Sequence, residues 1–304
     1  MAAAALTLAV GEHRVPIDGV EIVYHVFGKG PVILAHAGGP GAKWNILRMP
    51  LVEKFATVVY IEPVGTGASG GLSNPNGYTI DRYVADVEGL RARLGLDAFV
   101  LLGHSHGGFV AQAYALAHPE RLRGLILYDT TPTTGPEWQK DVEANLAWFE
   151  NEPWFVEAKL GLAEETSATT DDEMTAIFLR EMPLYFADWT SRWKEFAAYR
   201  ASIRFSVAPS KAVTDPSSPS QVGVAPVFEV RGRLGEIKVP TLVLSGTKDF
   251  VCSQTFGRML HDGIPQSRLV LLSHSGHMGH VEEAQVFAGT IHEYLDELAR
   301  ARKR

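Results

Sequence analysis

The chain has 304 residues, 46% hydrophobic and 21% charged, with 29 glycines, 17 prolines and one cysteine, the profile of a globular protein and not of a disordered, collagenous or coiled-coil chain. With 28 basic against 35 acidic residues the formal net charge is −7, a poor footprint for nucleic-acid binding. Cys252 has no second cysteine to pair with, which excludes an intramolecular disulfide and a cysteine–zinc centre and favours a reducing, cytoplasmic setting.

Taken in chain order, the first segment, Met1 to Val10, lacks the basic residue that a secretory signal carries before its apolar stretch, and that stretch stops at Gly11 and Glu12. Nowhere do about 18 apolar residues follow one another, so no transmembrane helix and no membrane partner are expected. Continuously apolar runs predict strands over residues 21–27, 31–35, 57–62, 99–103, 122–128, 241–245 and 268–273, because a sheet covered on both faces needs apolar residues on both. Apolar residues three and four apart predict helices over 80–94, 107–118 and 281–302. The basic tail at Arg300, Arg302, Lys303 and Arg304 suits a helix C-terminus. Strand and helix alternate at both ends of the chain, which predicts an α/β fold with a mostly parallel central sheet flanked by helices.

The middle differs. Residues 132–234 show helical periodicity, many acids and no convincing buried strand, and they hold Trp138, Trp148, Trp154, Trp189 and Trp193, five of the six tryptophans. They read as a helical cap inserted into a core made of residues 1–131 and 235–304. The tryptophans either pack the cap or line a small-molecule pocket, and so are candidate substrate-binding residues. The Ser-, Pro- and Gly-rich stretch 206–225 reads as a loop.

The chemistry centres on Gly103-His104-Ser105-His106-Gly107, between a predicted strand and a predicted helix. Glycines two positions either side of the serine permit a turn tight enough to leave its hydroxyl standing at the sheet edge, as in a nucleophile elbow. A serine hydroxyl is almost wholly protonated at neutral pH, so it needs a base, and the base needs a third group to hold it. Asp249 and His277 each follow a predicted strand, and the order Ser105, Asp249, His277 is that of α/β-hydrolases. Rivals are Asp129, which also ends a strand, and His274 and His280, which flank His277. A tetrahedral intermediate needs N–H donors for its oxyanion. His106, directly after the serine, supplies one. Gly38, in the loop His36-Ala37-Gly38-Gly39-Pro40-Gly41, is the choice for the other.

These residues resemble the α/β-hydrolase superfamily, and in particular its prolyl aminopeptidase (proline iminopeptidase) branch. The stretch Gly38-Gly39-Pro40-Gly41 resembles that branch's HGGPG loop, and Glu62-Pro63-Val64-Gly65-Thr66-Gly67-Ala68-Ser69 its DQRGxGxS turn. The chain departs from it at Ala37, at Pro63 and Val64, and at His104 and His106. The resemblance implies the fold, the triad and hydrolysis. It also implies cap carboxylates that grip the substrate's free amino terminus. The acids Glu150, Glu152, Glu157, Asp171, Asp172, Glu173 and Glu181 are present in the cap, but read as a solvated helical face.

The expectation is a cofactor-independent, metal-independent serine hydrolase that cleaves an ester, lactone or amide of a small, largely apolar molecule, its oligomeric state open. A prolyl aminopeptidase is the first alternative. A binding protein that keeps the fold without turnover is the second, since fold alone does not fix function.

Overall fold

The computed structural model describes residues 8–214 and 227–301. Eight strands form one sheet: β1 (Gly11–Ile17), β2 (Val20–Gly28), β3 (Val32–His36), β4 (Thr57–Glu62), β5 (Phe99–His104), β6 (Leu122–Tyr128), β7 (Thr241–Gly246) and β8 (Ser267–Leu272). Their spatial order is β1-β2-β4-β3-β5-β6-β7-β8. The pairs β1–β2 and β2–β4 are antiparallel, and every later pair is parallel. β4, β5 and β7 are buried along their whole length, which explains the apolar runs within them.

The helices follow in chain order: α1 (Ile80–Arg93), α2 (His106–Ala117), α3 (Pro136–Asn145), α4 (Phe155–Glu164), α5 (Asp171–Glu181), α6 (Trp189–Arg192), α7 (Ala197–Ser202), α8 (Val207–Thr214), α9 (Gln254–Gly263), α10 (Gly279–Glu282) and α11 (Ala284–Ala301). One face of the sheet carries Leu34, Val59, Leu101 and Leu127 into a core with α1, α2 and α9; the other carries Ile33, Val58, Leu102 and Leu244 into a core that continues through α11 into the cap. No helix among the described residues is long and apolar enough to cross a membrane.

Helices α3 to α8 lie between β6 and β7 and form the inserted cap. Its two necks are tied together: Thr133 bridges Glu229, the Thr134 N–H donates to the Phe228 carbonyl at 2.9 Å, and the Val230 N–H to that of Pro132 at 2.9 Å.

Three elements depart from the sequence prediction. β1 was not predicted: it is an edge strand whose exposure alternates, and it lacks the continuous apolar run sought. Its signal is the Asp18-Gly19 turn, with φ 45° and 79°, the two-residue hairpin turn that strand twist favours. The stretch read as a loop from residue 206 begins as a helix, α8, because the rest of the fold supplies its partners: the Val207 N–H donates to Asp171 Oδ1 at 2.8 Å and the Ser210 hydroxyl to the Pro40 carbonyl at 2.7 Å. Residues 215–225 of that stretch lie outside the described residues. The last predicted helix is two, α10 and α11, broken at Glu283 (φ −124°).

Candidate active site

The parallel strands end along one rim. Register pairs His36 with Gly103, His104 with Tyr128, Tyr128 with Leu244 and Gly246 with Leu272, so the loops after β3, β5, β6, β7 and β8 emerge together. The order also reverses between β3 and β5, where a crevice opens at the carboxyl ends of the strands.

Ser105 stands between β5 and α2 with φ 54° and ψ −123°, strained backbone for a side chain with a Cβ. It is held there by its N–H donating to the Tyr128 carbonyl at 3.0 Å and by the Thr130 hydroxyl donating to its carbonyl at 2.8 Å. The flanking glycines are sterically obligatory: a Cβ at Gly103 would lie 2.2 Å from the Gly107 carbonyl oxygen, and one at Gly107 2.3 Å from that of His36. His106 is the first residue of α2, so its N–H has no partner within the helix. The Gly38 backbone lies against the serine, since a Cβ there would stand 2.4 Å from the Ser105 Cβ.

Asp249 and His277 are almost wholly buried and meet at 2.7 Å between Oδ2 and Nδ1. A carboxylate oxygen accepts, so Nδ1 carries the proton and Nε2 is left as a lone pair. The other Asp249 oxygen accepts from the Val251 and Cys252 N–H groups at 3.0 and 2.9 Å. Of the rivals, Asp129 accepts from the Gly246 N–H at 2.7 Å, and burial, reinforced by Asp249, pushes its carboxyl well above the usual range. His274 is exposed. His280 uses both ring nitrogens, with the Ile46 carbonyl at 2.8 Å and the Tyr128 hydroxyl at 3.0 Å, and burial lowers it to about 4. Burial likewise lowers His106 to about 3 and His36 to about 4.

Ser105, His106, Gly38 and His277 line one cavity of about 210 Å³, whose other walls are mainly apolar: Phe109, Met174, Phe178, Tyr185 and Phe205 among them. Cys252 also reaches it, but burial raises its thiol, which disfavours a thiolate. Of the five cap tryptophans only Trp138 lines this cavity, its indole N–H donating to the Val251 carbonyl at 2.7 Å. Trp148 and Trp193 are exposed, Trp154 donates to Thr190, and Trp189 packs on Phe186 and Phe196. Those four do not line the cavity.

A feature the sequence reading missed is a carboxyl pair. Glu181, taken as part of a solvated face, is fully buried at the end of α5, and Glu165, beyond α4, lines the cavity. Burial raises both carboxyls, and the nearby Glu165 adds to the rise at Glu181. The 15 residues between them give no local signal; the packing of α4 on α5 makes the pair.

A model of the α/β hydrolase fold family matches residues 30–284. The proline iminopeptidase of Lactobacillus helveticus (strain DPC 4571) is 29% identical over 295 residues, covering 94% of this chain and 98% of its own. A thermophilic esterase from Thermogutta terrifontis superposes with a TM-score of 0.70 at 25% identity, covering 94% and 99%. The proline iminopeptidase of Mycobacterium smegmatis superposes with a TM-score of 0.73 at 19% identity, covering 96% and 100%. With the sheet order, the inserted cap and a family match over most of its length, the chain belongs to the α/β hydrolase fold family.

Proposed function

We propose that the protein is a serine hydrolase acting through an acyl-enzyme on a small, largely apolar ester, lactone or amide bound between the cap and the sheet rim. Ser105 attacks the carbonyl carbon and His277 Nε2 takes the hydroxyl proton. Asp249 holds the imidazole in the tautomer that leaves Nε2 free to accept, and stabilises the imidazolium that forms. The N–H groups of Gly38 and His106 receive the oxyanion. His277 returns its proton to the leaving group, then activates a water that releases the acid. The observation that carries this reading is the 2.7 Å Asp249–His277 hydrogen bond opening onto the cavity that Ser105 also lines. The cap corresponds to residues 132–234 and the core to 1–131 and 235–304. A buried, lone Cys252 suits a cytoplasmic setting.

The Glu165–Glu181 pair favours a second reading, a prolyl aminopeptidase. Glu165 puts a carboxyl in the wall of a mainly apolar cavity, with Glu181 buried near it, which suits an ammonium group at the end of a substrate. The Lactobacillus helveticus relative bears the proline iminopeptidase name, and the Thermogutta terrifontis structure is of an esterase. A panel of aryl esters, lactones and prolyl arylamides separates the two. The hydrolase reading expects turnover of the uncharged esters or lactones. Strong preference for prolyl arylamides, lost in Glu165→Gln and Glu181→Gln while ester turnover persists, assigns the peptidase. No turnover of any substrate on the panel contradicts both.

A further inference from the structure

Glu282 lies five residues beyond His277 and is only 7% exposed. Its carboxylate spans two parts of the chain: one oxygen accepts from the Gly276 N–H at 2.7 Å, beside His277, and the other from the Ala187 N–H at 2.7 Å, in the cap. The two segments are joined again where the His277 N–H donates to the Tyr185 carbonyl at 2.8 Å. No side chain separates them, since a Cβ at Gly276 would lie 2.7 Å from the Tyr185 carbonyl oxygen and 3.0 Å from the Ala187 nitrogen. A third tether runs from Arg192 in α6 to the Glu282 carbonyl at 3.2 Å. The Tyr185 side chain meanwhile lines the cavity, its ring centred 5.6 Å from that of His277. One short stretch of the cap therefore walls the cavity with a side chain and holds the base loop with its backbone.

We propose that Glu282 is a positioning residue for the base, its carboxylate fixing the Tyr185–Ala187 stretch of the cap to the loop that aims His277 at Ser105, an inference that rests on the roles given to those two residues above. Acceptor chemistry explains the residue type. An ionised carboxylate offers lone pairs on both oxygens and matches two N–H donors, whereas a carboxamide turns an NH₂ toward one of them and aspartate is one methylene too short to span both. Burial raises the Glu282 carboxyl to about 7, and the bonds from Ala187 and Gly276 oppose that rise, as they must if the ionised form is the one that bridges. The cap is thus part of the catalytic frame as well as a lid over the cavity.

The test is steady-state kinetics on the best ester of the panel. Glu282→Gln is expected to lower kcat at least 10-fold with KM within about threefold, because the cavity walls stay while the base wanders. Ala187→Pro, which deletes the N–H on the cap side and leaves Glu282 untouched, should do the same, and the double variant should fall no further than the worse single variant. The downfield proton resonance of the His277 Nδ1–H, expected to be sharp in the wild type, should broaden or shift in both variants, which a loss of stability elsewhere does not produce. If both folded variants keep kcat within threefold of wild type, or if their losses multiply, the proposal is overturned. His277→Ala tells the two claims apart: if it stays fully active the base assignment itself is wrong, whereas an inactive His277→Ala beside an active Glu282→Gln removes only the role of Glu282.

Discussion

Ser105 is one of three non-glycine residues with positive φ among those described, with Asp18 and Asp129. Strain at a single residue costs about 1–3 kcal/mol and persists only where the surroundings force it. Here the forcing is visible in the glycines, and it makes a direct prediction at Gly38. An added methyl there must move the Ser105 Cβ or the Gly38 backbone, so Gly38→Ala should lower kcat about 10²–10³-fold, the loss typical of one missing oxyanion donor, with little change in KM; wild-type turnover would remove Gly38 from the site. Glu181 makes a second prediction. Its folded carboxyl titrates above the unfolded value of 4.5, so its neutral form is favoured by folding: that contribution is full below pH 4.5 and is lost as pH rises toward the folded value. Replacing it by glutamine removes the dependence. The stability of Glu181→Gln relative to wild type should therefore rise with pH from about 5 to 8, by at most about 1.4 kcal/mol per unit, and denaturant titrations at several pH values measure it. A flat difference would show that Glu181 is not held neutral.

At the scale of elements, the cap grips both sides of the site. On the oxyanion side Lys43 donates to the Arg204 carbonyl at 3.0 Å and Ser206 to that of Gly41 at 2.8 Å; on the base side lie the contacts of Tyr185 and Ala187. Helix α5 carries Met174 and Phe178 to the cavity and ends at Glu181, so its stability matters to the substrate pocket. It starts with a capping box: the Thr170 hydroxyl accepts from the Glu173 N–H at 3.2 Å while the Glu173 carboxylate accepts from the Thr170 N–H at 3.2 Å. Thr170→Ala should cost about 1 kcal/mol of stability, measured by thermal or denaturant unfolding, and an unchanged midpoint would contradict a folding role for that cap. The legible elements were those whose signal is local. Continuous apolar runs gave β4 and β6 their observed limits, and the Gly-x-Ser-x-Gly pattern placed the β5–α2 turn. β1 escaped because an amphipathic edge strand has no such run. α8 escaped because its partners, Asp171 and Pro40, are distant in sequence.

Across the whole molecule, the sheet gathers residues 38, 105, 249 and 277 at one rim, an arrangement expected from motif and chain order, since each residue lies in the turn or loop that follows a strand. What sequence could not supply is whatever depends on distant segments meeting in space: the placing of Glu165 near Glu181, the single tryptophan at the cavity, and the bridge of Glu282 to the cap. The central claim is that Ser105 is made nucleophilic by His277, and covalent labelling by a fluorophosphonate, followed by mass spectrometry of the digested protein, tests it most directly. The account predicts one adduct per chain, on the peptide containing Ser105, absent in Ser105→Ala and formed far more slowly in His277→Ala. A folded wild-type chain that stays unlabelled, or an adduct that persists in Ser105→Ala, would contradict it.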